Sequence, residues 1–385
     1  MNPDFISNQR LLLAALLPNE SSQQLLHELL TTAANQINWE DFFRLASSKG
    51  LSALVRYDIS LAQNLASIPI KHREELEKFS HVAAAKHLLI VSEIQRLTAI
   101  FQAENIASIP LKGAALMLGN YYPKPGLRSV IDLDLLIDPA QTEHAFAVAL
   151  ANGFRREPIP PSRAAQPLPH ELRHLPLLRN EKGLLLELHF RAFHSLSANR
   201  DFTLREMMPR AVLSDEIYLP APEDLGLHLI QHTVSDLTSA NSILRTLADL
   251  YFIKQKDSEA FRKIKIRARE FGLMKAVNLA FRALGAIENN DYSDSEVKFF
   301  LQMALAENSA GMMETIRLFE YLDLREAPVH KLKHLFSLIK GNPKNHSPEV
   351  QIKSAGVFSM VKKLNWNALR VKELRRIARL RKMVR

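Results

Sequence analysis

The segment LRSVIDLDLLI at 127–137 sets two carboxylates, Asp132 and Asp134, two positions apart inside an apolar run. Side chains along a β-strand alternate between faces. This spacing therefore points both aspartates the same way and places Ile131, Leu133, Leu135 and Ile137 on an opposite, buried face. Carboxylates held side by side repel and raise one another's pKa, and such a pair persists where a cation, usually Mg²⁺, lies between them. A second run, LLLELHF at 184–190, repeats the pattern, with Leu184, Leu186, Leu188 and Phe190 on one face and Glu187 and His189 on the other. Asp132, Asp134 and Glu187 converging on one sheet face can ligate two divalent ions, which activate an attacking hydroxyl and stabilise a departing pyrophosphate.

The surrounding sequence predicts the elements that would hold these groups. Residues 1–105 read as helices, with Ile90, Ile94, Leu97 and Phe101 forming one amphipathic stripe. SIPLKGAALML (108–118) reads as a short strand entering a helix through Lys112-Gly113, and YYPKPG (121–126) as a turn-rich loop before the aspartate strand. PAQTEHAFAVALANGF (139–154) has proline at a helix start and Gly153 at its end. A proline-rich loop at 157–169 reads as a flap, and Glu181-Lys182-Gly183 as the turn of a hairpin joining 170–180 to 184–190. From Pro222 the chain is helical again over 223–234, 242–253 and 270–287.

Composition narrows the class. The 385 residues are 47% hydrophobic and 24% charged, ordinary for a globular chain, and contain no cysteine. That excludes disulfides, thiolate nucleophiles and zinc-thiolate sites, and makes a reducing, cytoplasmic setting the simplest expectation. LLLAALL (11–17) reads as a first helix and not as a signal peptide, and no run approaches the ~18 apolar residues of a membrane span. The net charge of +9 belongs to the last 25 residues alone. Residues 361–385 hold ten Lys or Arg against one Glu, and the rest of the chain balances to zero.

LKGAALML, YYPKPGLRSVIDLDLLI and LLLELHF, in this order and spacing, resemble the uncharacterised nucleotidyltransferase family of the DNA polymerase β superfold, in the branch found near bacterial exopolysaccharide genes. The resemblance covers roughly residues 10–290, including INWEDFFRLASSKGL (37–51). It implies an α+β protein, mostly helical, with a small mixed-sheet nucleotidyltransferase core. The expected segments are 1–105 (N-terminal helical), 106–220 (core), 221–340 (C-terminal helical) and 341–385 (basic tail). It further implies transfer of a nucleoside monophosphate from an NTP such as ATP to an unidentified acceptor: sugar, small molecule, protein or RNA. Mg²⁺ or Mn²⁺ would be the cofactor. By position, Asp132 and Asp134 match the metal-binding pair and Glu187 the third acidic residue. Lys112 and Gly113 stand where the wider superfold has Gly-Ser at a triphosphate-holding helix N-terminus. Val130-Ile131 replace the small or polar residues frequent before the first aspartate.

The remaining candidates carry two readings each. Arg128, four residues before Asp132, reaches substrate phosphates or else pairs with Asp138, and His189 orients phosphate or Glu187 or is structural. His144, His170 and His174 read as surface or loop residues. His228 and His232 share a helix face but lack a completing ligand set, so they read as packing or acceptor-side groups. Arg245 and Asp249 read most simply as an intrahelical ion pair, with an active-site role on the acceptor side as the alternative. The basic tail reads as an amphipathic helix for an anionic membrane or RNA. The rival to an enzyme is a catalytically inactive nucleotide-sensing or scaffold protein.

Overall fold

The computed structural model describes residues 3–158, 173–193, 200–235 and 242–305, all within one compact unit, Met1–Leu322. Both the proline-rich segment 159–169 and the basic tail 361–385 lie outside the described residues. Thirteen helices are described: α1 Pro3–Ala14, α2 Glu20–Thr32, α3 Trp39–Ser48, α4 Ser52–Leu61, α5 Ile70–Ala103, α6 Lys112–Leu118, α7 Thr142–Ala151, α8 Leu204–Met207, α9 Pro222–Ser235, α10 Ile243–Lys256, α11 Ala260–Phe271, α12 Met274–Asn289 and α13 Ser295–Leu305. The strands are β1 Ser108–Pro110, β2 Asp132–Ile137, β3 Phe154–Arg156, β4 Leu178–Asn180, β5 Leu185–His189, β6 Val212–Ser214 and β7 Ile217–Leu219. The fold is α+β, mostly helical around one small mixed sheet.

That sheet has the order β1-β2-β5-β4-β3. Only β2 and β5 run parallel; β1 with β2, β4 with β5 and β3 with β4 are antiparallel. The parallel pair sets the register that matters, because Asp134 lies directly opposite Glu187 and Leu136 opposite His189. The other face carries Leu133, Leu135, Ile137, Leu184, Leu186 and Leu188, which form one core with Ile90, Ile94, Leu97 and Phe101 of α5 and Ala145, Phe146 and Ala149 of α7. The alternation read from the sequence therefore holds within the strands. It fails at Ile131, which is 61% exposed, and at Phe190, which lies past the end of β5, half-buried and outside that core. The strand begins at Asp132, so Ile131 precedes the sheet and falls outside its alternation.

On the carboxylate side, Ala115 and Leu116 of α6 pack with Leu225 and Leu229 of α9, Ile253 of α10 and Ala260 of α11. The helical run expected over 270–287 is two helices, because α11 ends at Gly272, whose φ of +72° takes the left-handed turn that closes a helix. Among the described residues no helix is long and apolar enough to cross a membrane.

One buried group stands apart from these packed layers. Asp58 of α4 is fully buried and neither carboxylate oxygen has a hydrogen-bond partner among the described residues. Burial holds its pKa well above the ordinary 3.8. A raised folded-state pKa means the unfolded chain releases that proton first, so stability falls as pH climbs from about 4 through the folded value. Asp58→Asn should match wild type near pH 4 and exceed it at pH 7, by on the order of 1–3 kcal/mol in urea unfolding. Equal stability of the two proteins across that range would show that Asp58 is not held protonated.

Candidate active site

The carboxylate face of the β2–β5 pair carries three groups whose ligand atoms all lie within 4.8 Å of one another: Asp134, Glu187 and His189. His189 Nε2 lies 2.8 Å from Asp134 Oδ1 and 3.2 Å from Glu187 Oε2. Ionised carboxylates only accept, so Nε2 carries the proton and donates to them. Lys112 opens α6, and its ammonium donates to Asp134 Oδ1 at 2.7 Å and stands 4.0 Å from Glu187 Oε2. Its position is set by the backbone, since the Leu111 N–H bonds the Asp134 carbonyl at 2.9 Å. Lys112 itself adopts φ +49°, a conformation that costs a non-glycine residue energy and recurs at functional sites.

These contacts split the acids electrostatically. For Asp134, burial pushes the pKa up, but the Lys112 charge and the His189 hydrogen bond outweigh it, so its carboxyl sits well below the usual range. Burial also opposes the charge on His189, yet its bonds to Asp134 and Glu187 raise its pKa. Asp132 shares the face but stands outside the 4.8 Å trio and makes no side-chain hydrogen bond to it. Burial, and then the neighbouring Asp134 carboxylate, push it up to about 6. A cluster of acids of which one is driven upward in this way is suited to a divalent cation. The carboxylates of this cluster form an oxygen donor set that accepts Mn²⁺ as well as Mg²⁺.

Arg128 does not pair with Asp138, which is engaged by Arg205 at 2.8 Å. Its guanidinium forms a bidentate pair with Asp249 of α10, at 2.7 and 3.0 Å, and Asp249 also accepts from the Tyr122 hydroxyl at 2.6 Å. The loop carrying Tyr122 and Arg128 is seated by Gly126. At φ +83° this residue packs so closely on α5 that a Cβ there would lie 2.6 Å from the Ala84 nitrogen. Val130, where small residues were expected, fills the space above Gly113, and a Cβ on that glycine would collide with the valine side chain.

With Asp249 taken by Arg128 and Tyr122, the expected Arg245–Asp249 ion pair is not formed. Arg245 Nε is buried without a partner. His228 is fully buried with both ring nitrogens unpartnered, and its ring lies 6.2 Å from that of His232. Burial first, and then the Lys112 charge, depress the pKa of both, so they are neutral imidazoles. His174, read from sequence as a surface residue, is half-buried instead. Its backbone bridges to His189 and the two rings stand 5.2 Å apart. It sits before β4 in a stretch without strand periodicity, so only the three-dimensional pairing reveals it. Tyr122 likewise carries no sequence signal beyond its place in a turn.

No curated protein and no solved structure matches the chain. A family model described as an uncharacterised nucleotidyltransferase matches residues 35–287, a span that contains both site strands and the helices α9 and α10 that carry His228, His232 and Asp249. The chain belongs to this uncharacterised nucleotidyltransferase family.

Proposed function

We propose that the chain transfers a nucleoside monophosphate from an NTP to an acceptor hydroxyl or phosphate at the Asp132, Asp134 and Glu187 face, in a Mg²⁺- or Mn²⁺-dependent reaction. The observation that carries this reading is the register of β2 on β5, which sets Asp134 beside Glu187 on a polar face backed by an apolar core. Asp134 and Glu187, with Asp132 beside them, would hold the divalent cation. When bound, it supplies charge stabilisation to the phosphoryl oxygens and the leaving pyrophosphate.

The acceptor oxygen forms a bond to the α-phosphorus as the bond from that phosphorus to the bridging oxygen breaks, and pyrophosphate departs with the bond's electron pair. Asp132 is charged at neutral pH yet more basic than its neighbours, which suits it to take the proton of an acceptor hydroxyl. His189 fixes Asp134 and Glu187 through its Nε2–H. Lys112 contributes positive charge beside them. Arg128 acts as a positioning residue through Asp249. His228 and His232 fit the acceptor side, where neutral imidazoles hydrogen-bond a polar acceptor.

The test is a thermal and chemical stability titration of the wild-type chain with each NTP, each metal, and both together. A matching NTP with metal at about 100 times its dissociation constant should add about 2.7 kcal/mol, and neither alone should match it. Incorporation of an α-³²P-labelled nucleotide into a metabolite or RNA pool then identifies the acceptor. If no NTP stabilises the chain with either metal, the reading fails.

A further inference from the structure

Lys112, Arg128 and Arg245 are basic side chains near the carboxylate face, and the first two are engaged by carboxylates. Lys112 donates to Asp134, and Arg128 is locked to Asp249. Arg245 makes no hydrogen bond or ion pair among the described residues, and its Nε is buried without a partner. Its charge is felt against Arg128, Asp249, Asp132 and Tyr122, the groups around the Arg128–Asp249 pair. His228 and His232 instead feel the charges of Lys112, Arg173 and Asp134. Arg245 is thus a cation with carboxylates nearby but no hydrogen-bonded partner among the described residues.

The Arg245 side chain is also seated. Gly50, in the turn between α3 and α4, adopts φ +68°, and a Cβ there would lie 3.2 Å from Arg245 Cδ and 3.4 Å from Nη1. The bare glycine backbone lets the guanidinium lie close against the N-terminal helices, so α3 and α4 shape a site whose acids come from the sheet. A guanidinium partly removed from water with no hydrogen-bonded anion is costly, and a phosphate oxygen pair satisfies it bidentately.

We infer that Arg245 binds the polyphosphate tail of the nucleotide, with the Gly50 turn as its seat. This rests on the nucleotidyl-transfer reading above. Charge supports the assignment, because the polyphosphate is the most anionic part of the reactants and Arg245 has no hydrogen-bonded partner among the described residues.

The test measures binding of a nucleoside and its mono-, di- and triphosphate, using the base that best stabilises wild type, in the presence of Mg²⁺. Wild type should gain affinity with each phosphate. Arg245→Gln should lose roughly 10- to 100-fold in triphosphate affinity with nucleoside affinity unchanged, and Arg245→Lys should recover part of the loss. Arg245→Lys keeps the charge and stem, so it reports even where the Gln variant folds poorly. Three results overturn the inference: a wild-type triphosphate affinity retained by Arg245→Gln; an equal loss for nucleoside and triphosphate, which marks a structural residue; and a loss that vanishes when Mg²⁺ is raised to saturation, which means Arg245 serves the metal site. Each of these leaves nucleotide binding by the wild type standing. A wild type that binds no triphosphate defeats the inference together with the function on which it rests.

Discussion

Asp132→Asn is expected to reduce nucleotide transfer by about 10³-fold or more while leaving the melting temperature unchanged or higher. The reduction corresponds to several kcal/mol of lost transition-state stabilisation, the range associated with removing one charged group from a preorganised site. The stability half follows from the environment of Asp132. Burial and the Asp134 carboxylate push its pKa up to about 6, which means the folded protein tolerates its charge poorly. Replacing it with a neutral isostere removes that penalty and breaks no side-chain hydrogen bond to Asp134, Glu187 or His189. Pyrophosphate release with the matching NTP and metal, measured beside a melting curve, checks both halves. A variant that keeps full activity would remove Asp132 from the reaction. A variant that loses activity only in proportion to lost stability would make it a structural residue.

Asp249→Ala should cost about 3–5 kcal/mol of stability, because it leaves the Arg128 guanidinium buried without its counter-charge and the Tyr122 hydroxyl without its acceptor. Asp249 is fully buried, so water does not replace the lost partner. Urea unfolding should show the loss in the midpoint. The double replacement of Arg128 by Met and Asp249 by Leu should recover much of it, since removing both charges also removes the desolvation they required. If Asp249→Ala unfolds at the wild-type midpoint, the pair does not anchor the loop to α10. If the double variant is no better than the single one, the cost lies in packing and not in the orphaned charge.

Much of this arrangement could be read from residue types and spacing. The alternation in LDLLI and LLLELH put the acids on one face and the leucines on the other, and the stripe from Ile90 to Phe101 located the helix that covers the leucines. Turn and cap signals placed α6, α7 and the β4–β5 hairpin. What escaped the sequence was pairing across long separations. Arg128 and Asp249 are 121 positions apart, and nothing local shows that their attraction displaces the nearer pairings of Arg128 with Asp138 or Arg245 with Asp249. Ile131 escaped for another reason, since alternation has meaning only inside a hydrogen-bonded strand and β2 starts one residue later. Burial of His174 and His228 also depends on which elements cover them, which spacing on one helix or loop does not reveal.

The parallel pairing of β2 with β5 has a consequence for the order in which this protein is built. Asp134 and His189 are 55 positions apart, and the β3–β4 excursion must close before they meet. Contacts of such separation carry a loop-closure cost that local helices do not, so they form late relative to elements such as α5. A nascent chain that has emitted α1 to β2 presents Asp132 and Asp134 without Glu187 or His189, and its acidic pair has no third ligand to gather a cation. Metal-binding competence should therefore appear abruptly with β5 during synthesis, which ties acquisition of the reactive centre to completion of the sheet.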